Sequence, residues 1–265
     1  MLNEVQIKQY LQRIGYDGIP SADLSTLFRL QWAHITHIPY ENLDILAGIP
    51  LSLKAEDLFH KIVTEKRGGY CFELQGLYGE LLKSCGFRVV QYAARFMDED
   101  GIIQMRRHRV LVVQIGNARY LTDVGIRSES PRIPLKLVCD ELQTDDICEY
   151  RFQRDPFYGW VLCQKERGKQ WRTMYGFTEE PQIDEDFVMP SFYCEKHPDS
   201  TFNKFMKISI FRGKSNFTLI NGIFQEYRDA RVQLRKKLIS QSEISNILKT
   251  YFGLDGYPYN LKRTR

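Results

Sequence analysis

Three residues of different chemical type make up a candidate reactive set: Cys71, preceded by two glycines, and then His108 and Asp123, which flank a Gly116-Asn117 dipeptide. A cysteine thiolate attacks acyl carbons, an imidazole takes and returns the proton, and a carboxylate fixes the imidazole tautomer. Such a set performs cysteine-dependent acyl transfer or hydrolysis. Rival chemistries lack their parts. The six cysteines, at 71, 85, 139, 148, 163 and 194, contain no CxxC pair and match no zinc spacing, so no metal is expected; no phosphate-binding glycine motif is present either.

The stretch Arg67 to Gly86 positions the cysteine. Leu74, Leu77, Tyr78, Leu81, Leu82 and Cys85 fall at helical spacing and predict one continuous buried stripe, with Gly86 as a left-handed cap. Gly68 and Gly69 forbid an earlier start and admit backbone angles that other residues resist. Cys71 therefore falls at or just before the first helical turn, where the helix dipole and unpaired N–H groups favour thiolate. Lowering an ordinary thiol pKa of about 8.5 by about three units takes about 4 kcal/mol, more than a dipole supplies. The cysteine thus needs a cationic partner, most naturally a histidine. Taken alone, the stretch fits a small buried apolar cysteine equally well.

HRVLVVQI and ARYLTDVGI read as strands joined by a two-residue turn at Gly116-Asn117. Pairing Ile115 with Ala118 sets Val110 opposite Asp123 and His108 opposite Gly125. His108 and Asp123 then project to one face as diagonal neighbours with Cα atoms about 7–8 Å apart, within reach of a hydrogen bond. Aspartate is disfavoured on a strand and needs a partner there. A purely structural His–Asp pair is the plainer alternative.

Around this centre, residues 1 to 85 read as mostly helical. Val5 to Ile14 forms a first helix closed by Gly15, and Ser21 caps a second; Pro39 breaks the pattern by holding Ile38 extended, and Lys54 to Val63 is a further short helix. His34, His37 and His60 read as core or surface residues. FRVVQYAARF is a strand, Arg127 to Asp146 a loop, and Tyr150–Phe157, Trp160–Lys165 and Trp171–Phe177 are strands of a small barrel or sheet. Pro181 to Asp186 reads as an acidic linker. MKISIFRG, SNFTLING and IFQEYRDARVQL read as strands, and a Ser240–Glu243 capping box opens a last helix that runs to Gly253.

A 43% hydrophobic and 13% aromatic content belongs to a globular chain. The net charge of +4 is spread out, with only short basic clusters at Arg235–Lys237 and in the tail Lys262–Arg265, and no nucleic-acid-binding motif accompanies them, so nucleic acid is not an expected partner. No apolar run approaches the eighteen or so residues of a membrane span. The start, MLNEVQIKQY, is too polar for a secretory signal, and a reducing cytoplasm is the expected compartment.

The sequence resembles the arylamine N-acetyltransferases, bacterial members of which include N-hydroxyarylamine O-acetyltransferases. IPYENL from Ile38, RGGYCFE from Arg67, HRVLVV from His108, YLTDVG from Tyr120, WRTMYGF from Trp171 and SFYCEKHPDSTF from Ser191 match in order over nearly the whole chain. The resemblance implies an α+β, papain-like cysteine-transferase fold: a helical bundle (1–86) carrying Cys71, a β-barrel (87–186) carrying His108 and Asp123, and a C-terminal α/β lid (187–265). It assigns Cys71 as nucleophile, His108 as its proton partner and Asp123 as the orienting carboxylate. It also pairs Arg67 with Glu41 under the cysteine loop and puts Tyr40 in the acceptor pocket. The implied reaction is a ping-pong acetyl transfer from acetyl-CoA to an arylamine, hydrazine or N-hydroxyarylamine. Two departures stand out. Gln75 replaces the family's usual asparagine, and Ile126-Arg127 replaces Phe-Gly, which removes an aromatic wall of the acceptor pocket and adds charge near the CoA entrance. Rival readings of the same triad are a cysteine hydrolase of transglutaminase type, an amide synthase fed by a carrier protein, and a catalytically silent binding module.

Overall fold

Good helix formers fill most of the first third of the chain and β-branched residues much of the rest, and the structure follows that division. A computed structural model describes residues 1–97 and 102–256; the basic tail Lys262–Arg265 lies outside the described residues. Helices α1 (Glu4–Arg13), α2 (Leu24–His37), α3 (Leu43–Ala47), α4 (Ala55–Phe59) and α5 (Cys71–Ser84) come first. The N-cap of α2 is Asp23, not Ser21: its carboxylate accepts the Thr26 N–H at 2.8 Å, and the Ser21 hydroxyl instead donates to Asp23. The last turn after α4 is a π-helical segment, His60–Thr64. As expected, α2 stops before Pro39, with Ile38 extended at φ −111° and ψ 118°.

Helix α5 is more deeply embedded than its spacing predicts. Every residue from Cys71 to Leu82 is buried, so the helix has no solvent face along that length. Gly76 allows the close approach on the barrel side: a Cβ there would stand 3.0 Å from an Arg109 nitrogen and 3.2 Å from Leu58, whereas one at Gly79 would meet Leu111 at an ordinary 3.5 Å. Leu74, Leu77, Leu81 and Leu82 pack on the remaining sides, each contributing about 2 kcal/mol of burial.

The central sheet has eight strands: β1 (Arg88–Phe96), β2 (His108–Ile115), β3 (Ala118–Thr122), β4 (Leu135–Lys136), β5 (Gln143–Thr144), β6 (Cys148–Asp155), β7 (Gly159–Glu166) and β8 (Arg172–Gln182). Their order is β4-β3-β2-β1-β8-β7-β6-β5. The two edges meet through one side chain. Gln143 Oε1 accepts the Lys136 N–H at 2.7 Å and its amide donates to the Lys136 carbonyl at 2.9 Å, so the sheet curls into a nearly closed barrel. The segment expected to be a loop, Arg127 to Asp146, thus carries both closing strands, too short to show alternation. The expected acidic linker is also structured: β8 runs through Gln182, and Asp184–Phe187 forms a 3₁₀ turn whose Asp184 binds Arg109 and Gln91.

Helix α6 (Val188–Lys196) leads to a second sheet of β9 (Lys207–Arg212), β10 (Ser215–Ile220), β11 (Ile223–Arg228) and β12 (Arg231–Lys237), followed by α7 (Gln241–Ile247) and a π-helical turn, Leu248–Phe252. IFQEYRDARVQL is two strands, not one, because Asp229 and Ala230 both take positive φ (49° and 60°) in a tight turn that lacks the usual glycine or asparagine. The Ser240–Glu243 capping box is present. Three apolar clusters hold the structure together: one among the helices that also takes in Phe187, Cys194 and Phe211, one inside the barrel around Tyr92, Phe152, Leu162 and Tyr175, and one between the second sheet, α7 and Leu43.

His34 sits at the centre of the helical cluster, 1% exposed, between the rings of Tyr10 and Tyr78, with neither ring nitrogen hydrogen-bonded. Burial, with Arg13 and His37 adding to it, pulls its pKa down to about 3. Between about pH 6.5 and 3 the unfolded chain therefore binds a proton that the folded chain refuses, and stability falls as pH falls through that window. We expect His34→Leu to gain about 2 kcal/mol relative to the parent on going from pH 8 to pH 5, read by urea unfolding at both values. A gap between the two proteins that does not change with pH would show that His34 titrates normally.

Candidate active site

Cys71 is the first residue of α5 and is 3% exposed. The two preceding glycines are there for space, not for left-handed angles: neither has positive φ, but a Cβ at 68 would lie 2.0 Å from the Pro39 carbonyl oxygen and one at 69 would lie 2.9 Å from Glu73 Cβ. The loop is held from below by buried ion pairs. Arg67 reaches Glu41 at 2.7 Å and Asp44 at 3.0 Å, and Lys61 reaches Asp44 and Glu73, each at 2.7 Å. Burial alone would lower Lys61, but Glu73, Glu41 and Asp44 outweigh it and hold its pKa above the ordinary lysine value. Burial pushes Glu73 upward despite its lysine.

The thiol does not sit as an ion pair. Burial pushes the Cys71 pKa well up, Cys194 and Asp123 add to the rise, and the Phe72 N–H opposes it. Its Sγ lies 3.9 Å from the Arg107 carbonyl, the residue next to His108. His108 is fully buried; its Nε2 is 2.7 Å from Asp123 Oδ2, and its Nδ1 has no hydrogen-bond partner. No Cys71–His108 hydrogen bond is formed here, since Nδ1 has no partner, and burial of the sulfur works against the thiolate.

Asp123 is fixed by four donors. Besides His108, Oδ2 accepts from the Tyr175 hydroxyl at 2.8 Å, and Oδ1 accepts from Gln75 Nε2 at 2.9 Å and the Gly125 N–H at 2.8 Å. The β2–β3 ladder ends at Leu111–Thr122, so the predicted pairs Val110–Asp123 and His108–Gly125 do not form. Asp123 instead leaves the strand and turns toward the histidine, while Ile115 pairs with Ala118 as expected. Gly125 lets the chain pass close to the helix start, since a Cβ there would be 2.8 Å from Gln75 and 3.1 Å from Cys71 Cα. Phe96 and Tyr175 rings stand 5.0 and 5.2 Å from the imidazole.

Cys71 opens on a cavity of about 220 Å³ that Tyr40, Ile126 and Arg127 also line, together with Phe96, Arg107 and Phe202. Among the described residues no group of three or more His, Cys, Asp or Glu side chains is placed to hold a metal ion, and no helix is long and apolar enough to cross a membrane.

Residues 23–256 match the N-acetyltransferase family model. The chain is 34% identical over 254 residues to the arylamine N-acetyltransferase of Mycolicibacterium smegmatis, which covers 93% of this chain and 90% of that protein. The chain belongs to the arylamine N-acetyltransferase family. It is 29% identical to the arylamine N-acetyltransferase / N-hydroxyarylamine O-acetyltransferase of Salmonella typhimurium, over 89% of this chain and 84% of that one. Among solved structures, the M. smegmatis arylamine N-acetyltransferase superimposes with a TM-score of 0.91 at 31% identity, covering 100% and 98% of the two chains. The Mycobacterium marinum arylamine N-acetyltransferase in complex with CoA gives 0.90 at 29% identity, covering 97% and 96%.

Within this arylamine N-acetyltransferase fold, several contacts join residues that no local sequence pattern connects. Tyr175 arrives from β8 and Lys207 from β9, far along the chain, and no local pattern ties either to Asp123 or Cys71. Gln75, a departure from the family's usual asparagine, joins Asp123, the Arg109 carbonyl at 3.1 Å and the Val124 N–H at 3.4 Å through its side chain. Its position one helical turn after Cys71, on the same face, was the available signal.

Proposed function

We propose that the protein transfers acetyl groups from acetyl-CoA to aromatic amines, hydrazines or N-hydroxyarylamines by a ping-pong route through a thioester on Cys71. The observation that carries this reading is the state of His108: Nε2 is committed to Asp123 at 2.7 Å while Nδ1 is buried and left without a partner. An imidazole so held keeps its proton on Nε2 and offers the Nδ1 lone pair as a base. Acetyl-CoA is the substrate that supplies the acetyl group; the relative solved with CoA supports that choice.

In the first half-reaction His108 Nδ1 takes the Cys71 proton as the sulfur forms its bond to the acetyl carbon. The Cys71 N–H at the start of α5 offers hydrogen bonding to the developing oxyanion. The carbon–sulfur bond of the donor breaks, and His108 returns the proton to the departing thiolate. In the second, the acceptor nitrogen bonds to the acetyl carbon, Cys71 leaves as thiolate, and His108 relays the amine proton back to it. Arylamines are neutral at pH 7 and alkylamines are protonated, so the former are the natural acceptors. Tyr40, Ile126 and Arg127 line the acceptor side, and Arg67 with Glu41 braces the loop.

The division of the chain at 86/87 and 186/187 is part of the proposal, supported by the separate barrel core. Six unpaired cysteines fit a reducing, cytoplasmic setting. Mixing the enzyme with p-nitrophenyl acetate and no amine should give a nitrophenol burst equal to the enzyme concentration, and adding aniline or a hydrazine should then restart release. Turnover without a burst and indifferent to amine would replace the transferase with a hydrolase.

A further inference from the structure

Among the described residues one sheet edge is left open. The barrel edges β4 and β5 are joined through Gln143, and the β9 edge of the second sheet is met by the Tyr40 main chain, which pairs with Ser209. At the other edge of that sheet stands β12, bonded on one side only, to β11. All seven of its residues are exposed, and no main-chain group of another described element covers its outer side. An uncovered edge presents a row of N–H and C=O groups to whatever strand can reach it. The side chains along this one are cationic. Lys236 is held by Glu243 at 2.9 Å, whereas among the described residues no carboxylate lies within ion-pair distance of Arg231, Arg235 or Lys237. Val232 and Leu234, 51% and 45% exposed, add apolar surface between the charges.

We propose that β12 is a docking edge for an extended acidic segment of a partner protein, which adds as a further strand and sets its carboxylates against Arg231, Arg235 and Lys237. Charge selects this occupant. A second copy pairing through its own β12 would bring two rows of cations together, and like charges across a strand pair are unfavourable. A bulge at Gln233, where the register with β11 shifts, also twists the edge away from flat self-pairing. The chain's own tail, Lys262–Arg265, is basic and complements nothing here. A nucleic acid would neutralise the cations but leave the open main-chain groups unpaired. The site is separate from the Cys71 cavity and involves no step of acetyl transfer.

The probe is a fluorescein-labelled peptide of alternating glutamate and valine, about as long as β12, titrated into the full chain at low salt and read by anisotropy. It should bind saturably, and hydrogen exchange of the 231–237 amides should slow when it does. Affinity should fall at least ~10-fold in the triple variant Arg231→Glu, Arg235→Glu, Lys237→Glu, whose substituted positions are all exposed, while acetyl transfer is unchanged. A peptide N-methylated at every second residue, which keeps the charges but loses main-chain donors, should also bind at least ~10-fold more weakly. Absence of saturable binding to the folded parent protein overturns the proposal. Equal binding of the N-methylated peptide overturns it as well, by reducing the contact to ionic adsorption. Tighter binding of a single-stranded oligothymidylate would assign the edge to nucleic acid instead.

Discussion

Cys71→Ala should be unable to form the acetyl-enzyme: no nitrophenol burst, and acetyl transfer to aniline reduced at least ~10⁴-fold, to the uncatalysed background. Alanine removes the sulfur proposed to carry the acetyl group and leaves the helix start, the glycine pair and the ion pairs beneath it in place. Stability should change by no more than about 1 kcal/mol, because the lost thiol's contact with the Arg107 carbonyl, at 3.9 Å, is a weak one. The measurement is a burst titration paired with a thermal melt. A stoichiometric burst in a folded Cys71→Ala protein would move the nucleophile elsewhere, with Cys194, buried in the same apolar cluster, the first place to look.

Asp123→Asn should be nearly as damaging for a different reason. The carboxylate accepts all four of its hydrogen bonds, from His108, Tyr175, Gln75 and the Gly125 N–H, whereas an asparagine amide must turn two N–H groups toward donors. The arrangement is relieved most directly if His108 moves its proton from Nε2 to Nδ1, and Nδ1 then no longer accepts a proton from Cys71. A loss of about 10³–10⁴ in the acylation rate is expected, the scale seen when a serine-protease triad suffers the same change. Stability should drop by about 1–3 kcal/mol from the mismatched buried donors. The discriminating readout is slow alkylation of Cys71 by iodoacetamide in a protein with a native circular dichroism spectrum. Burst rates within tenfold of the parent would reduce Asp123 to a structural partner.

Local sequence patterns specify structure only as far as their range allows. The helix that begins at Cys71 was legible because Gly68, Gly69 and Gly86 bracket a 3.6-residue repeat. The Ile115–Ala118 hairpin was legible because Gly116-Asn117 separates two alternating runs. Asp123 was expected to face His108 through a ladder that in fact stops a residue earlier, and the contact is made by a chain that has already left the strand. What stayed hidden is what only tertiary packing supplies. The Tyr175 hydroxyl reaches Asp123 across the barrel, and Lys207 enters the cavity from the second sheet. The close approach of α5 to Arg109 of β2 at Gly76 is likewise something an amphipathic stripe does not announce.

One tie in the structure bears on inheritance. The Tyr40 main chain exchanges both of its hydrogen bonds with Ser209, at 2.9 and 3.0 Å, and forms a bridge to Gly69 of the cysteine loop. The second sheet and the cysteine loop are therefore joined by peptide groups, which every amino acid except proline provides in full. Apart from the crowded glycine, mutation can rewrite these positions without cutting the link. Chains that share about a third of their residues with this one, as the M. smegmatis structure does at 31%, can in this way keep one geometry around the sulfur while their side chains diverge.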